Sequence, residues 1–246
     1  MIGCRLLIDE PAAGAWNMAV DEALVEGPGQ QELVLRLYGW REPTLSLGYF
    51  QSLADRARHP ASAQCALVRR LSGGGAILHD RELTYALAAP KSYPLTRQAE
   101  ALYLAIHETL VAALGKLGIE ASINSRPSEL TPAEEPFLCF ERRAKGDVLY
   151  GTAKIAGSAE RRRRGAILQH GSILLARSLA APELAGLGEL CGRPVERAPL
   201  IAAWLEELER GLGWRFLHSS LTKDEVRLAE QLAAQRFELT SWNSRR

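Results

Sequence analysis

The chain has 246 residues, enough for one large domain or two small ones and ample for a buried core. Its apolar fraction of 47% and charged fraction of 24% are those of an ordinary globular protein and exclude global disorder. A formal net charge of +1 excludes a strong overall field for nucleic acid or membrane. The N-terminus lacks a basic stretch followed by a long apolar run, so no signal peptide is expected. No apolar run reaches the roughly 18 residues of a membrane span. Cys4, Cys65, Cys139 and Cys191 are far apart and make no CxxC or Cys/His pair of zinc-like spacing. Free thiols in a reducing cytoplasm, with no metal centre, are the simplest expectation.

"CRLLID" reads as a short strand, and "GAWNMAVDEALVEG" spaces Trp16, Ala19, Val20, Ala23 and Leu24 as a helix that Gly27 and Pro28 close. "ELVLRLYGW" alternates Leu33, Leu35 and Leu37 with more polar residues, which is strand periodicity, and "TLSLGYF" repeats it after Pro43. "ALVRRL", "GAILHD" and "LTYALAAP" predict three further strands, joined by a glycine turn and a "HDRE" turn. From Arg97 to Leu117 the stripe Leu102, Ile106, Leu110 and Leu114 gives the strongest helix, ended by Gly118 and followed by a strand in "IEASIN". "RPSELTPAEEP" is proline-rich and polar, a mobile loop and a candidate lid at 126–136. "DVLYGTAKIAGSAERRRRGAILQHGSILL" reads as three or four strands with turns at Gly151, the arginine run and Gly171. The tail is mostly helical, and Thr222 with Glu225 forms a capping-box signature at the start of the last long helix. The expectation is one α/β (α+β) unit over 1–246 with a mixed, sandwich-like β-sheet, flanking helices and 180–246 as a helical C-terminal extension.

"RRLSGGGAILHD" is the most distinctive stretch. Gly73, Gly74 and Gly75 permit left-handed backbone and close approach to a ligand, while Arg69, Arg70 and His79 bring charge to the same loop. It lacks the GK[ST] ending of a phosphate-binding P-loop, and no helix follows as a dinucleotide loop requires. By itself a triglycine also suits a plain hairpin turn. Lys154 reads equally as an exposed strand lysine, Cys139 as a small buried hydrophobe, and the run Arg161–Arg164 as a solvated turn.

"RRLSGGGAILHDRELTYAL" resembles the signature of the biotin/lipoate protein ligase superfamily, in its lipoate-ligase and octanoyltransferase branch. "LIDEPAAGAWNMAVDEAL", "LRLYGWREPTLSLGYFQ" and "GTAKIAGSAERRRRGAILQHGSILL" extend the resemblance over roughly residues 5 to 180. It implies a mixed α/β catalytic domain in which the glycine loop and a lysine strand enclose a narrow acyl tunnel. By the same resemblance, Lys154 points at the acyl carbonyl, and Arg70, Ser72, Gly73, Gly74, Gly75, His79, Gly157, Ser158, Ala159 and His170 contribute to substrate binding. "GTAK" departs from the more usual pair of basic residues before the isoleucine.

Two activities follow from the resemblance. A lipoate–protein ligase activates a free acid with ATP and Mg, and Cys139 is then inert. A transferase needs no cofactor and moves an octanoyl group from octanoyl-acyl carrier protein to a lipoyl domain. Acceptors of that kind are the glycine cleavage H protein or dehydrogenase E2 subunits, and transfer between two lipoyl domains is a variant of the same chemistry. One bacterial transferase group carries a cysteine in a "CF" dipeptide before the lysine strand and then "LQHGSI"; this chain has Cys139–Phe140 and the same hexapeptide at Leu168 to Ile173. A thioester donor and an amide product suit a thiol nucleophile, and a nearby cation such as Lys154 raises its thiolate fraction. The arginine run suits an acidic protein partner. A non-catalytic acyl or lipoyl-domain binding module is the third reading, and the Cys, Lys, His and glycine set argues against it.

Overall fold

The computed structural model describes residues 1–98, 100–127, 130–131, 135–163 and 165–245. In chain order these form β1 (Ile2–Ile8), α1 (Gly14–Glu26), β2 (Leu33–Tyr38), β3 (Thr44–Leu47), β4 (Ala66–Arg69), β5 (Ile77–His79), β6 (Glu82–Pro90), α2 (Ala101–Lys116), β7 (Ala121–Ile123), β8 (Val148–Tyr150), β9 (Ala153–Arg162) and β10 (Ala166–Leu174). The tail adds α3 (Leu187–Cys191), α4 (Arg197–Leu212), β11 (Trp214–His218), α5 (Lys223–Leu232) and α6 (Thr240–Asn243).

Eight strands make one mixed sheet in the order β11-β1-β2-β6-β10-β9-β8-β7, with β1 parallel to both of its neighbours and the other pairs antiparallel. The expected mixed α/β class with flanking helices is therefore present. The helical stripe Leu102, Ile106, Leu110 and Leu114 of α2 packs with Leu200, Trp204 and Leu208 of α4 on Leu33, Leu35, Leu37 and Leu87. Each such side chain contributes about 1.5–3 kcal/mol by leaving water. On the opposite face, Met18, Val20 and Leu24 of α1, with Ala229 of α5, cover Val34, Tyr38, Ala86 and Leu168. Covering both faces buries every position of β2, including the polar one. Arg36 is fully enclosed and is neutralised by Asp9 at 2.7 Å and Asp21 at 2.9 Å.

A second sheet of three strands runs β4-β3-β5. Because β3 lies between them, β4 and β5 are not hairpin partners, and the glycine stretch is a crossing loop instead of a plain turn. Gly171 is likewise no turn: it sits inside β10 opposite Ser158, where an added Cβ would meet Gly157 O at 2.6 Å and Ser158 Cβ at 2.7 Å. Among the described residues three strands, not four, cross this stretch. The long helix begins at Ala101 and not at Arg97, since Glu100 takes a left-handed φ of 64°. In the arginine run, β9 extends through Arg162, and Arg163 pairs with the buried Glu22 on α1; Arg164 lies outside the described residues. So do 128, 129 and 132–134 of the expected lid.

The capping box forms as read: Thr222 Oγ1 accepts from Glu225 N at 3.3 Å and Thr222 N donates to Glu225 Oε2 at 2.7 Å. The tail is tied into the sheet, for β11 extends its edge beside β1, and Asn243 accepts from Arg69 N at 2.8 Å. Among the described residues no helix is long and apolar enough to cross a membrane.

Candidate active site

Lys154 enters from the start of β9, just after the left-handed Gly151 (φ 57°) and beside a register shift between Val148 and Leu149. Its side chain folds back along the strand over Gly157, where a Cβ would stand 2.6 Å from Lys154 Cε and 2.9 Å from Nζ. Glycine at 157 thus makes room for the lysine itself. The ammonium is buried and satisfied three ways: Asp147 Oδ2 at 2.9 Å, the Cys139 carbonyl at 3.3 Å and Cys139 Sγ at 3.7 Å. A buried lysine needs such partners to stay charged.

The Cys139 segment lies against the glycine loop like a strand. Ala76 N donates to Phe137 O at 3.0 Å, and Cys139 N donates to Ala76 O at 2.7 Å. A Cβ at Gly75 would crowd the backbone of this segment, at 3.2–3.3 Å from Phe137 O and Cys139 N. Phe137 and Leu138 anchor the segment in a small core with Leu45, Leu47 and Leu78, leaving Cys139 itself half-buried. Burial pushes its thiol up, but Lys154, Arg142 and Arg70 together bring it below the ordinary cysteine value, against a smaller opposing effect of Asp147.

Arg70 shapes the loop as well as charging it. It donates to Ser46 O at 2.8 Å and to both Gly73 O and Gly75 O at 2.7 Å, so one guanidinium clamps the left-handed Gly74 (φ 92°) between two carbonyls. Burial lowers its pKa to about 10, still cationic at neutral pH. Arg69 is turned away and holds Gly48 O, Gln51 O and the backbone of Asn243.

Two of the expected histidines face the same space. His170, opposite Ala159 on β9, bonds the Ser72 hydroxyl through Nε2 and faces Asp21 at 3.4 Å through Nδ1. Despite complete burial, which raises it, Asp21 is held below the usual carboxylate range by His170 and Arg36. His79 contacts Glu82 at 2.5 Å and stacks on Trp40 with centroids 3.9 Å apart.

Arg70, Gly73, Gly74, His79, Cys139, Lys154, Gly157, Ser158, Ala159 and His170 all line one narrow cavity of about 120 Å³, whose apolar walls are Met18, Trp40, Ile77 and Phe140. Ser72 and Gly75 act from behind the wall, through His170 and through the Cys139 backbone. Sequence reasoning missed Asp147, Arg142, Tyr103 and His107. Asp147 accepts from Ala144 N at 2.6 Å and Tyr103 Oη at 3.1 Å, and Arg142 pairs with Glu135 beside the thiol. His107 bonds Gly146 O at 2.7 Å and contacts Ser158 Oγ at 3.1 Å; burial lowers its pKa to about 4, so it is neutral. The sole signal in the sequence was indirect, since a lysine that leaves water requires an acid, and "KGDV" supplies the nearest one upstream.

Residues 13–186 match the family described as the lipoyl protein ligase A/B catalytic domain. The octanoyltransferase LipM of Kyrpidia tusciae is 37% identical over 98% of both chains, and that of Symbiobacterium thermophilum is 33% identical over the same shares. Among solved structures, a candidate lipoate protein ligase of T. acidophilum with bound lipoic acid superposes with a TM-score of 0.80 at 25% identity, covering 99% of this chain and 100% of that one. A lipoate-protein ligase A bound with ATP gives 0.78 at 25% identity, with 99% of each chain covered.

Proposed function

The chain belongs to the family of lipoyl protein ligase A/B catalytic domains, and from that premise we propose that this acyltransferase moves an octanoyl group from octanoyl-acyl carrier protein to a lipoyl-domain lysine through a Cys139 acyl-enzyme. Overall shape does not separate a transferase from a ligase, since the chain superposes on an ATP-bound ligase along 99% of its length. The observation that carries the reading is local: Cys139 Sγ lies 3.7 Å from the buried Lys154 ammonium, in a cavity whose cations lower the thiol.

The Cys139 thiolate attacks the carrier's thioester carbonyl. Lys154 exchanges its bond to the Cys139 carbonyl for one to the developing oxyanion, a role that favours the transition state over the ground state. The carbon–sulfur bond to Cys139 forms as the thioester's carbon–sulfur bond to the carrier breaks, the carrier's thiolate leaves and takes a proton from solvent, and the acyl chain occupies the apolar cleft. The acceptor lysine then attacks as the free amine. The amide forms, the Cys139 thiolate is released beside Lys154, and the amine's proton passes to solvent.

Intact mass tests the reading. Incubation with octanoyl-carrier protein is expected to leave an octanoyl adduct that disappears on adding a lipoyl domain and never forms in Cys139→Ala. Modification of the acceptor only with ATP and free octanoate would mean a ligase instead.

The rim supports an acidic carrier as donor. Arg161 stacks over Tyr49 at 5.0 Å, Tyr49 contacts the exposed Phe50, and Phe50 borders Gly73 of the cavity wall. Arg163 is already consumed by Glu22, so among the described residues of the run Arg161 and Arg162 carry the expected docking charge. Replacing both with Ser is expected to raise KM for the carrier about threefold to tenfold at low salt, a difference that fades at high salt. Steady-state kinetics at two ionic strengths measure it, and an unchanged KM removes the docking role.

A further inference from the structure

We propose that Asp147 is a positioning residue for the transfer: it fixes the Lys154 ammonium against Cys139 and offsets part of its charge, so that the thiolate remains reactive. This rests on the acyl-enzyme reading above. Three cations, Lys154, Arg142 and Arg70, converge on one thiol, with Asp147 the carboxylate that opposes them. Glu135 is engaged by Arg142, His79 by Glu82, His170 by Ser72 and Asp21, and Tyr38 by Asp21, while Tyr103 donates to Asp147 itself. An over-stabilised thiolate is a poorer nucleophile, because nucleophilicity falls as thiol basicity falls. Withdrawing part of the Lys154 charge counters that loss. The same contact sets geometry, since an ammonium has three protons and here they point to Asp147, the Cys139 carbonyl and Sγ.

The carboxylate is itself braced. Ala144 N and Tyr103 Oη donate to it, and the preceding Gly146 has a left-handed φ of 89° with the Tyr103 ring packed where a Cβ would be. His107 holds the Gly146 carbonyl at 2.7 Å. Helix α2 therefore supports the Gly146–Asp147 turn through two residues, Tyr103 and His107, and the turn supports the lysine.

The test is the pH dependence of Cys139 alkylation by iodoacetamide, read by intact mass, beside octanoyl-transfer kinetics. Asp147→Asn is expected to move the alkylation midpoint down by about one pH unit, because a like charge is removed. It is also expected to lower kcat by up to ~100-fold with KM nearly unchanged, because the lysine loses its anchor. Asp147→Glu should restore both toward the parent values. A merely structural role predicts the opposite sign, since a loosened site would separate Lys154 from the thiol and move the midpoint up. A midpoint that is unchanged or raised in Asp147→Asn overturns the proposal. Should that variant fail to fold, Asp147→Ser removes the same charge and carries the same expected sign. Transfer retained in Cys139→Ala would overturn the acyl-enzyme reading, an outcome the alkylation midpoints do not depend on.

Discussion

Replacing Lys154 with Met is expected to reduce kcat/KM by on the order of 10² to 10³-fold, the loss seen when a preorganised oxyanion donor is removed. The same change should move the Cys139 alkylation midpoint up, because the foremost of the cations that lower this thiol is gone while burial and Asp147 still raise it. At neutral pH the thiolate fraction falls, so part of the lost rate should return as pH rises and the pH–rate profile shifts to the alkaline side. The substitution also strands a buried carboxylate, with side-chain exposures of 3% for Lys154 and 2% for Asp147. Breaking such a pair costs about 3–5 kcal/mol, and the bonds from Ala144 N and Tyr103 Oη place this case at the lower end. Denaturant unfolding checks the stability and single-turnover kinetics the chemistry. Lys154→Arg should not rescue either, because a planar fork cannot reproduce the three bonds that one ammonium makes to Asp147, the Cys139 carbonyl and Sγ. Activity within tenfold of the parent in Lys154→Met would remove the lysine from the mechanism.

Local sequence carried much of the fold. Helix α2 was legible because its apolar stripe repeats at 3.6 residues, and the turn at Gly151 because a left-handed φ favours glycine. Gly171 was misread because a glycine forced by cross-strand crowding looks, in one dimension, like a glycine forced by a turn. The glycine loop was misread as a possible hairpin because nothing local says that β3 will lie between β4 and β5. The site divides the same way. The family motifs contained Arg70, Gly73, Gly74, Lys154 and His170, and these converge on one cavity, with Gly75 behind its wall against the Cys139 backbone. Asp147 and Arg142 stayed hidden because their significance is a charge in space near Cys139, and no spacing rule connects them.

Gly48 belongs to that hidden class and carries a large effect. It follows β3 in "LSLGYF", where it reads as an ordinary strand end. In the fold a Cβ there would stand 2.0 Å from Gly74 O and 3.4 Å from Arg70 Nη2, against backbone that Arg70 already clamps. Nothing flexible lies in the way, so Gly48→Ala must displace the Gly73–Gly75 loop as a unit. That loop bears the backbone bonds that place Cys139, through Ala76 O at 2.7 Å. A shift of about 1 Å at a reacting group costs roughly 100-fold in rate, and overpacking of this kind costs about 1–3 kcal/mol in stability. Gly48→Ala is therefore expected to lose roughly 100-fold in octanoyl transfer while remaining folded. The alkylation midpoint should rise, since moving the loop carries Arg70 away from the thiol. Kinetics with a thermal melt on the same sample decide it: near-parent transfer in a folded Gly48→Ala protein would mean that the glycine loop does not set the position of Cys139.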